Sequence, residues 1–221
     1  MIVYHGSNSI VEHPDHTKGR SDTDFGQGFY ATAAEIMAQK WAARKSSSVI
    51  NVYDIDFTGL KVKKLKLDEE WLGFVIANRQ MEEPDVFNGY DVIIGATADD
   101  KMFSTIENYE NGYISGKDAI KILNNMDIGI QMCFRTQKAV DKLTFVKSYA
   151  LSGKQKSEFK SLIREERKKA NELTSKMMRE AVNRREKLDI SDLTIDEQKE
   201  IKKMVSQKRK ARRNKENEIS L

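Results

Sequence analysis

The feature that most constrains this chain is a change of composition near residue 150. Both Trp, all seven Tyr, both Pro, and all but one each of the nine Phe and twelve Gly precede it. Beyond Tyr149 the chain turns to Lys, Arg, Glu and Leu, a helix-forming composition. Charge divides at the same place. Residues 1–150 hold 17 Lys and Arg against 21 Asp and Glu, a net −4, whereas 151–221 hold 21 against 13, a net +8. The sequence therefore reads as a mixed α/β domain over 1–150 and a basic helical extension over 151–221, with the boundary at Leu151-Ser152-Gly153.

Other classes are excluded quickly. No apolar run approaches the roughly 18 residues of a spanning helix, so no membrane contact is expected. The start MIVYHGS lacks the basic and apolar regions of a signal peptide. The single Cys133 rules out a disulfide framework or a thiolate zinc site, and a cytoplasmic, reducing setting is expected. His13-Pro14-Asp15-His16 is too sparse for zinc and reads as a polar loop, so no metal is expected.

Periodicity predicts strands at Ile2–His5, Val49–Phe57, Lys61–Leu67, Tyr90–Gly95, Ile128–Phe134 and Leu143–Tyr149. It predicts helices at Ala33–Lys45, Asp68–Arg79, Asp99–Tyr109 and Lys117–Asn125, the last capped by Ser115. Glu12–Phe25 reads as a loop and Thr136–Lys142 as a turn. In the extension, Phe159, Leu162, Ile163, Ala170, Leu173, Met177 and Ala181 form one apolar stripe on a helix over 157–187. Thr194 and Glu197 form a capping box for a second helix ending in Lys208–Arg213. The expected fold is α+β: a split sheet of short strands with interspersed helices, then the basic helical extension.

Three stretches can carry chemistry: Tyr4-His5-Gly6-Ser7 at the end of the first strand; Asp24-Phe25-Gly26-Gln27-Gly28-Phe29-Tyr30-Ala31-Thr32 before a helix bearing Trp41; and Gln131-Met132-Cys133-Phe134 opening a later strand. Each also has a structural reading. His5 can be a satisfied strand-end histidine, Gly6 and Gly28 can serve turns, and Phe25, Phe29 and Tyr30 can be core aromatics. Cys133 reads as a buried small hydrophobe.

Together and in this order, the three stretches resemble the diphtheria-toxin and poly-ADP-ribose-polymerase branch of the ADP-ribosyltransferase superfamily. In that branch a strand-borne His-Gly-Ser/Thr is followed by Gly-x-Gly-x-Tyr-x-Ala and a helix, and a later strand opens with Glu. The chain looks most like a bacterial subfamily with Tyr-His-Gly-Ser and Asp-Phe-Gly-x-Gly-Phe-Tyr motifs, some of whose relatives are toxins or phage-defence effectors. The resemblance spans residues 1–149 and implies an ADP-ribosyltransferase-like fold with NAD as substrate and no metal. It implies a catalytic set of His5, Tyr30 and Gln131. Gly6, Ser7, Arg20, Gly28, Tyr30 and Trp41 would bind NAD: His5 on a ribose hydroxyl, Gly6 on the nicotinamide amide, and Tyr30 and Trp41 stacking on the ring. Arg20 can pair with the pyrophosphate or be a solvated loop arginine. Ala38 stands where many relatives carry a serine.

Gln131 departs from the family pattern. It can orient a hydroxyl, but it supplies neither negative charge nor a general base. That fits a single transfer, or a carboxylate supplied by Asp99, Asp100, Glu107 or Glu110, which also read as a first helical turn and a solvated helix face. The expected activity is mono-ADP-ribosyl transfer to a macromolecule by an intracellular bacterial toxin or defence effector. RNA is favoured as acceptor and protein is close behind. The alternatives are an inactive NAD- or ADP-ribose-binding module and an NAD glycohydrolase. The basic arm reads as a solvated extension, a nucleic-acid contact, or an amphipathic docking helix for an antitoxin or other partner protein.

Overall fold

A helix laid across a strand needs small residues where the backbones meet, and that requirement organises this fold. The computed structural model describes residues 1–80, 86–98, 102–124 and 129–191. In chain order the strands are Ile2–Ser7 (β1), Phe29–Ala31 (β2), Val49–Ile55 (β3), Val62–Lys64 (β4), Val92–Ala96 (β5), Ile130–Phe134 (β6) and Leu143–Ala150 (β7). The helices are Glu35–Ala43 (α1), Glu69–Gln80 (α2), Met102–Glu110 (α3), Gly116–Leu123 (α4), Gln137–Val140 (α5) and Gly153–Ser191 (α6). The architecture is α+β, as expected. Contacts divide the chain into a unit Met1–Met178, which holds every strand, and a second unit beginning at Arg179.

The strands form two sheets, ordered β1-β3-β7 and β2-β6-β5-β4. All pairings are antiparallel except β4 with β5. The sheets are linked by an isolated bridge in which Tyr4 N–H donates to Thr32 O (2.8 Å) and Thr32 N–H to Tyr4 O (3.0 Å). One core cluster draws on both sheets, with Val3, Tyr53 and Ile55 from the first and Phe29, Met132 and Phe134 from the second. A second cluster joins α1 to the first sheet through Ala38, Ala42, Ala43, Ile50 and Val52.

Gly6 allows the α1 contact. A Cβ there would clash with the Ala38 carbonyl oxygen and lie 2.8 Å from the Ala42 nitrogen. The buried Asn51 ties the loop after β1 to β3, accepting from Val11 N–H (2.9 Å) and donating to Ser9 O (3.1 Å).

Several boundaries differ from the sequence reading for identifiable reasons. β2 is a strand that the sequence pattern does not signal; it is three residues long and comes directly after Gly28. Asp68 lies outside α2 and caps it, accepting from Glu70 N–H (3.1 Å) and Trp71 N–H (3.2 Å). The turn expected over 136–142 contains the short α5, capped by Thr136. α6 begins four residues early, because Ser152 and Gln155 form a reciprocal capping box: Gln155 N–H donates to Ser152 Oγ (3.2 Å) and Ser152 N–H to Gln155 Oε1 (3.0 Å). Along α6, Phe159, Ile163 and Met177 are partly covered and Ala170 is buried, whereas Leu162 and Leu173 remain exposed. The stripe is narrower than its periodicity implies. Lys40 of α1 pairs with Glu166 (2.7 Å), and Lys156 Nζ donates to Ser46 O (2.6 Å). The helix expected from Thr194, and Lys208–Arg213, lie outside the described residues.

Two substitutions test this account by urea denaturation. Gly6→Ala is expected to destabilise by about 1–3 kcal/mol through overpacking against α1. Ser152→Ala is expected to cost about 1 kcal/mol through loss of the cap.

Candidate functional site

The Tyr4–Thr32 bridge between the sheets sets the position of the site. Antiparallel strands present backbone groups to alternate sides. Tyr4 and Thr32 face each other, so Gly6 and Tyr30 come next on the same edges. There the strands part. The His5 ring takes the place of the next ladder bond, with Nδ1 lying 2.6 Å from Tyr30 O. A cleft of about 510 Å³ opens at this split. Its size suits a small-molecule ligand.

Six of the residues singled out in the sequence line this cleft: His5, Gly6, Arg20, Tyr30, Trp41 and Gln131. They come from β1, the loop before β2, β2 itself, α1 and β6. Ser7 and Gly28 do not line it. Ser7 Oγ accepts from Ser9 N–H (3.3 Å). Gly28 packs against β6, where a Cβ would clash with Cys133 Sγ and sit 2.8 Å from Phe134 O.

His5 is held in one tautomer. A carbonyl only accepts, so Nδ1 carries the proton and Nε2 is the ring nitrogen left to meet a ligand. Burial pushes the imidazole below its ordinary 6.5; the Tyr30 carbonyl opposes this and Lys45 adds to it. The ring is therefore neutral near pH 7, and Nε2 is an acceptor suited to a hydroxyl.

Tyr30 lines the cleft while its hydroxyl holds the preceding turn. It donates to Gly26 O (2.8 Å), accepts from Phe25 N–H (3.0 Å) and meets Thr23 Oγ1 (2.7 Å). Gly26 has φ +75°, which closes that turn. Burial, then Cys133, raises the phenol well above its ordinary value, so it stays neutral. Cys133 is buried and its thiol is pushed up to about 12, also by burial. Arg20 is exposed and forms a 3.5 Å ion pair with Asp22 at the cleft wall.

Sequence pattern alone assigns no role to Asp24 or Arg79. Asp24, from the Asp-Phe-Gly stretch, is 4% exposed. Its Oδ1 accepts from Arg79 Nε (2.7 Å) and Nη2; its Oδ2 accepts from Ala98 N–H (2.9 Å) and from Gln131 Nε2 (2.5 Å). The carboxylate beside Gln131 is thus Asp24, and not one on α3. Glu107 and Glu110 are exposed, and Asp99 and Asp100 lie outside the described residues. The loop His13–His16 serves structure: Asp15 caps a single 3-10 turn, accepting from Thr17 N–H (2.8 Å). Among the described residues no group of three or more His, Cys, Asp or Glu is placed to hold a metal, and no helix is long and apolar enough to cross a membrane.

The His5 shift gives a pH dependence. The unfolded chain takes up a proton near pH 6.5 that the folded chain binds only at lower pH. This contribution to stability is full above 6.5 and is lost as pH falls toward the lowered folded value. Thermal melts of wild type and His5→Gln between about pH 7.5 and 5 should show a shallower decline in the variant.

No curated protein and no solved structure matches the chain. A family model described as "Protein of unknown function (DUF3990)" matches residues 1–145, the segment that contributes every described residue lining the cleft. The chain belongs to that family.

Proposed function

We propose that the cleft binds NAD and that the protein is an NAD-dependent mono-ADP-ribosyltransferase, releasing nicotinamide and passing ADP-ribose to a macromolecule. The observation that carries this reading is convergence: His5, Gly6, Arg20, Tyr30, Trp41 and Gln131, drawn from the three stretches and from segments flanking the second, line one cleft. Neutral His5 offers Nε2 to a ribose hydroxyl. The Gly6 backbone edge, turned into the split, suits the donor and acceptor of a carboxamide. Tyr30 and Trp41 supply aromatic surface for the departing ring. Arg20, Arg44 and Lys45 bring cations to the same cleft, as a pyrophosphate requires. Breaking the glycosidic bond develops positive charge on the ribose, and an acceptor fixed at Gln131 orients the ring as that charge forms.

For the acceptor we favour RNA, on the strength of the basic arm, with a protein side chain as the close second. A toxin or phage-defence effector under the control of a partner protein is the matching biological role. A second reading, a binding module without turnover, is favoured by the amide at Gln131, which cannot act as a general base.

NAD labelled on its adenylate side, incubated with the protein and a cell lysate, tests the proposal. Macromolecular label is expected, with nuclease or protease digestion naming its class. His5→Ala is expected to lower nicotinamide release by at least about a hundredfold. NAD binding in calorimetry without nicotinamide release would instead support the binding module. Free ADP-ribose without macromolecular label would identify a glycohydrolase.

A further inference from the structure

We propose that Asp24 is a positioning residue that acts through Gln131, and that the two together take the place of a single carboxylate at the cleft. The inference rests on the reading of the cleft as an NAD site. Asp24 receives four N–H donors, two from Arg79 and one each from Ala98 and Gln131. A carboxylate has about four acceptor positions, so its capacity is filled. It is also buried. Whatever Asp24 does to a ligand passes through a neighbour.

Gln131 is the neighbour with capacity left. An ionised carboxylate only accepts, so the Gln131 amide must turn its Nε2–H toward Asp24. Oε1 is then the atom that faces the cleft, and no described residue donates to it. Donation into a carboxylate polarises the amide and strengthens Oε1 as an acceptor. Gln131 thereby presents a fixed, electron-rich oxygen to a ribose hydroxyl, with the negative charge one hydrogen bond behind it. Arg79 holds the Asp24 carboxylate in place and offsets part of its charge.

This arrangement makes a counterintuitive demand: restoring a carboxylate at position 131 harms the site. In Gln131→Glu, two carboxylates meet where a donor met an acceptor, and they must share one proton. The charged and titratable groups around them are Arg79 from α2, Tyr30 from β2, Cys133 from β6, and His5, Arg20, Asp22, Arg44 and Lys45 in the cleft wall. The protonated variant retains a donor toward Asp24 and works; once the proton leaves, the pair repels. In Asp24→Asn/Gln131→Glu, donor and acceptor exchange places and the contact between the two side chains returns, while the Ala98 N–H gives up its acceptor.

The experiment measures nicotinamide release by the full chain, as kcat and KM for NAD, at about pH 6 and about pH 8.5. Relative to wild type, kcat of Gln131→Glu is expected to fall by at least about tenfold as pH rises, with KM within about threefold. At the higher pH, Asp24→Asn/Gln131→Glu is expected to exceed Gln131→Glu by at least about fivefold. A merely structural Asp24 would leave the double variant no better than Gln131→Glu, and that result would overturn the proposal. So would a Gln131→Glu rate that rises with pH relative to wild type. If the double variant fails to fold by circular dichroism, the direction of the single variant's pH profile decides alone. If wild type binds NAD without turnover, Kd is read with the same signs. Wild type that neither binds NAD nor releases nicotinamide overturns the NAD reading and this inference with it; an active wild type with the opposite variant pattern overturns the inference alone.

Discussion

Two hydrogen bonds exchanged between Tyr4 and Thr32 tie the sheets of this fold together, and the site depends on the pairing going no further. A continuous ladder between β1 and β2 would close the edge on which Gly6 and Tyr30 face each other. The His5 ring prevents this by reaching the Tyr30 carbonyl in place of a backbone donor. Burial of both sheets against a shared core holds them at this divergence, so the cleft is a consequence of packing. The Thr32 side chain extends the tie in two directions. Its hydroxyl donates to Ile130 O (2.8 Å) and accepts from Ala34 N–H (3.1 Å), linking the bridge to β6 and to the entry of α1.

The Asp24 cluster fastens the opposite wall. An isolated buried carboxylate is strongly unfavourable, and a buried ion pair is tolerated only when further hydrogen bonds complete it. Here the Arg79 fork, the Ala98 amide and the Gln131 amide do so. One side chain thus holds together the loop before β2, the end of α2, the segment after β5 and the strand β6. The loop's inner turn is secured independently by the Tyr30 hydroxyl. A site assembled from several separate elements gains rigidity from two polar anchors that share no atoms.

Much of this is legible in the sequence where the signal is local. The change of composition near residue 150, the strands β1, β3, β5, β6 and β7 and the Ser115 cap come from composition, periodicity and capping pattern, whereas the cleft residues His5, Tyr30, Trp41 and Gln131 come from the family resemblance. The Ser152–Gln155 box is also written in the sequence, as Ser-x-x-Gln, but the helical composition around it draws the expected boundary to Ser157. β2 is hidden because three residues hold no readable alternation. Asp24 and Arg79 are hidden for a different reason. They lie 55 positions apart, and only the topology that brings α2 beside the loop before β2 makes them partners. Leu162 and Leu173 share the period of their stripe but lie at its margins, so periodicity does not show that they stay exposed.

Gly6 answers to two masters. Its missing side chain admits the α1 backbone, while the residue also lines the cleft. If the cleft captures the ligand proposed for it, selection on stability and selection on binding act on one codon and favour the same residue. Gly28 feels only the first of these pressures, because it packs on β6 away from the cleft. A descendant in which the cleft no longer served the proposed function would still keep both glycines, because packing alone requires them. His5 Nε2 and Gln131 Oε1 meet no hydrogen-bond partner among the described residues, so these two positions are where such a history would first be written.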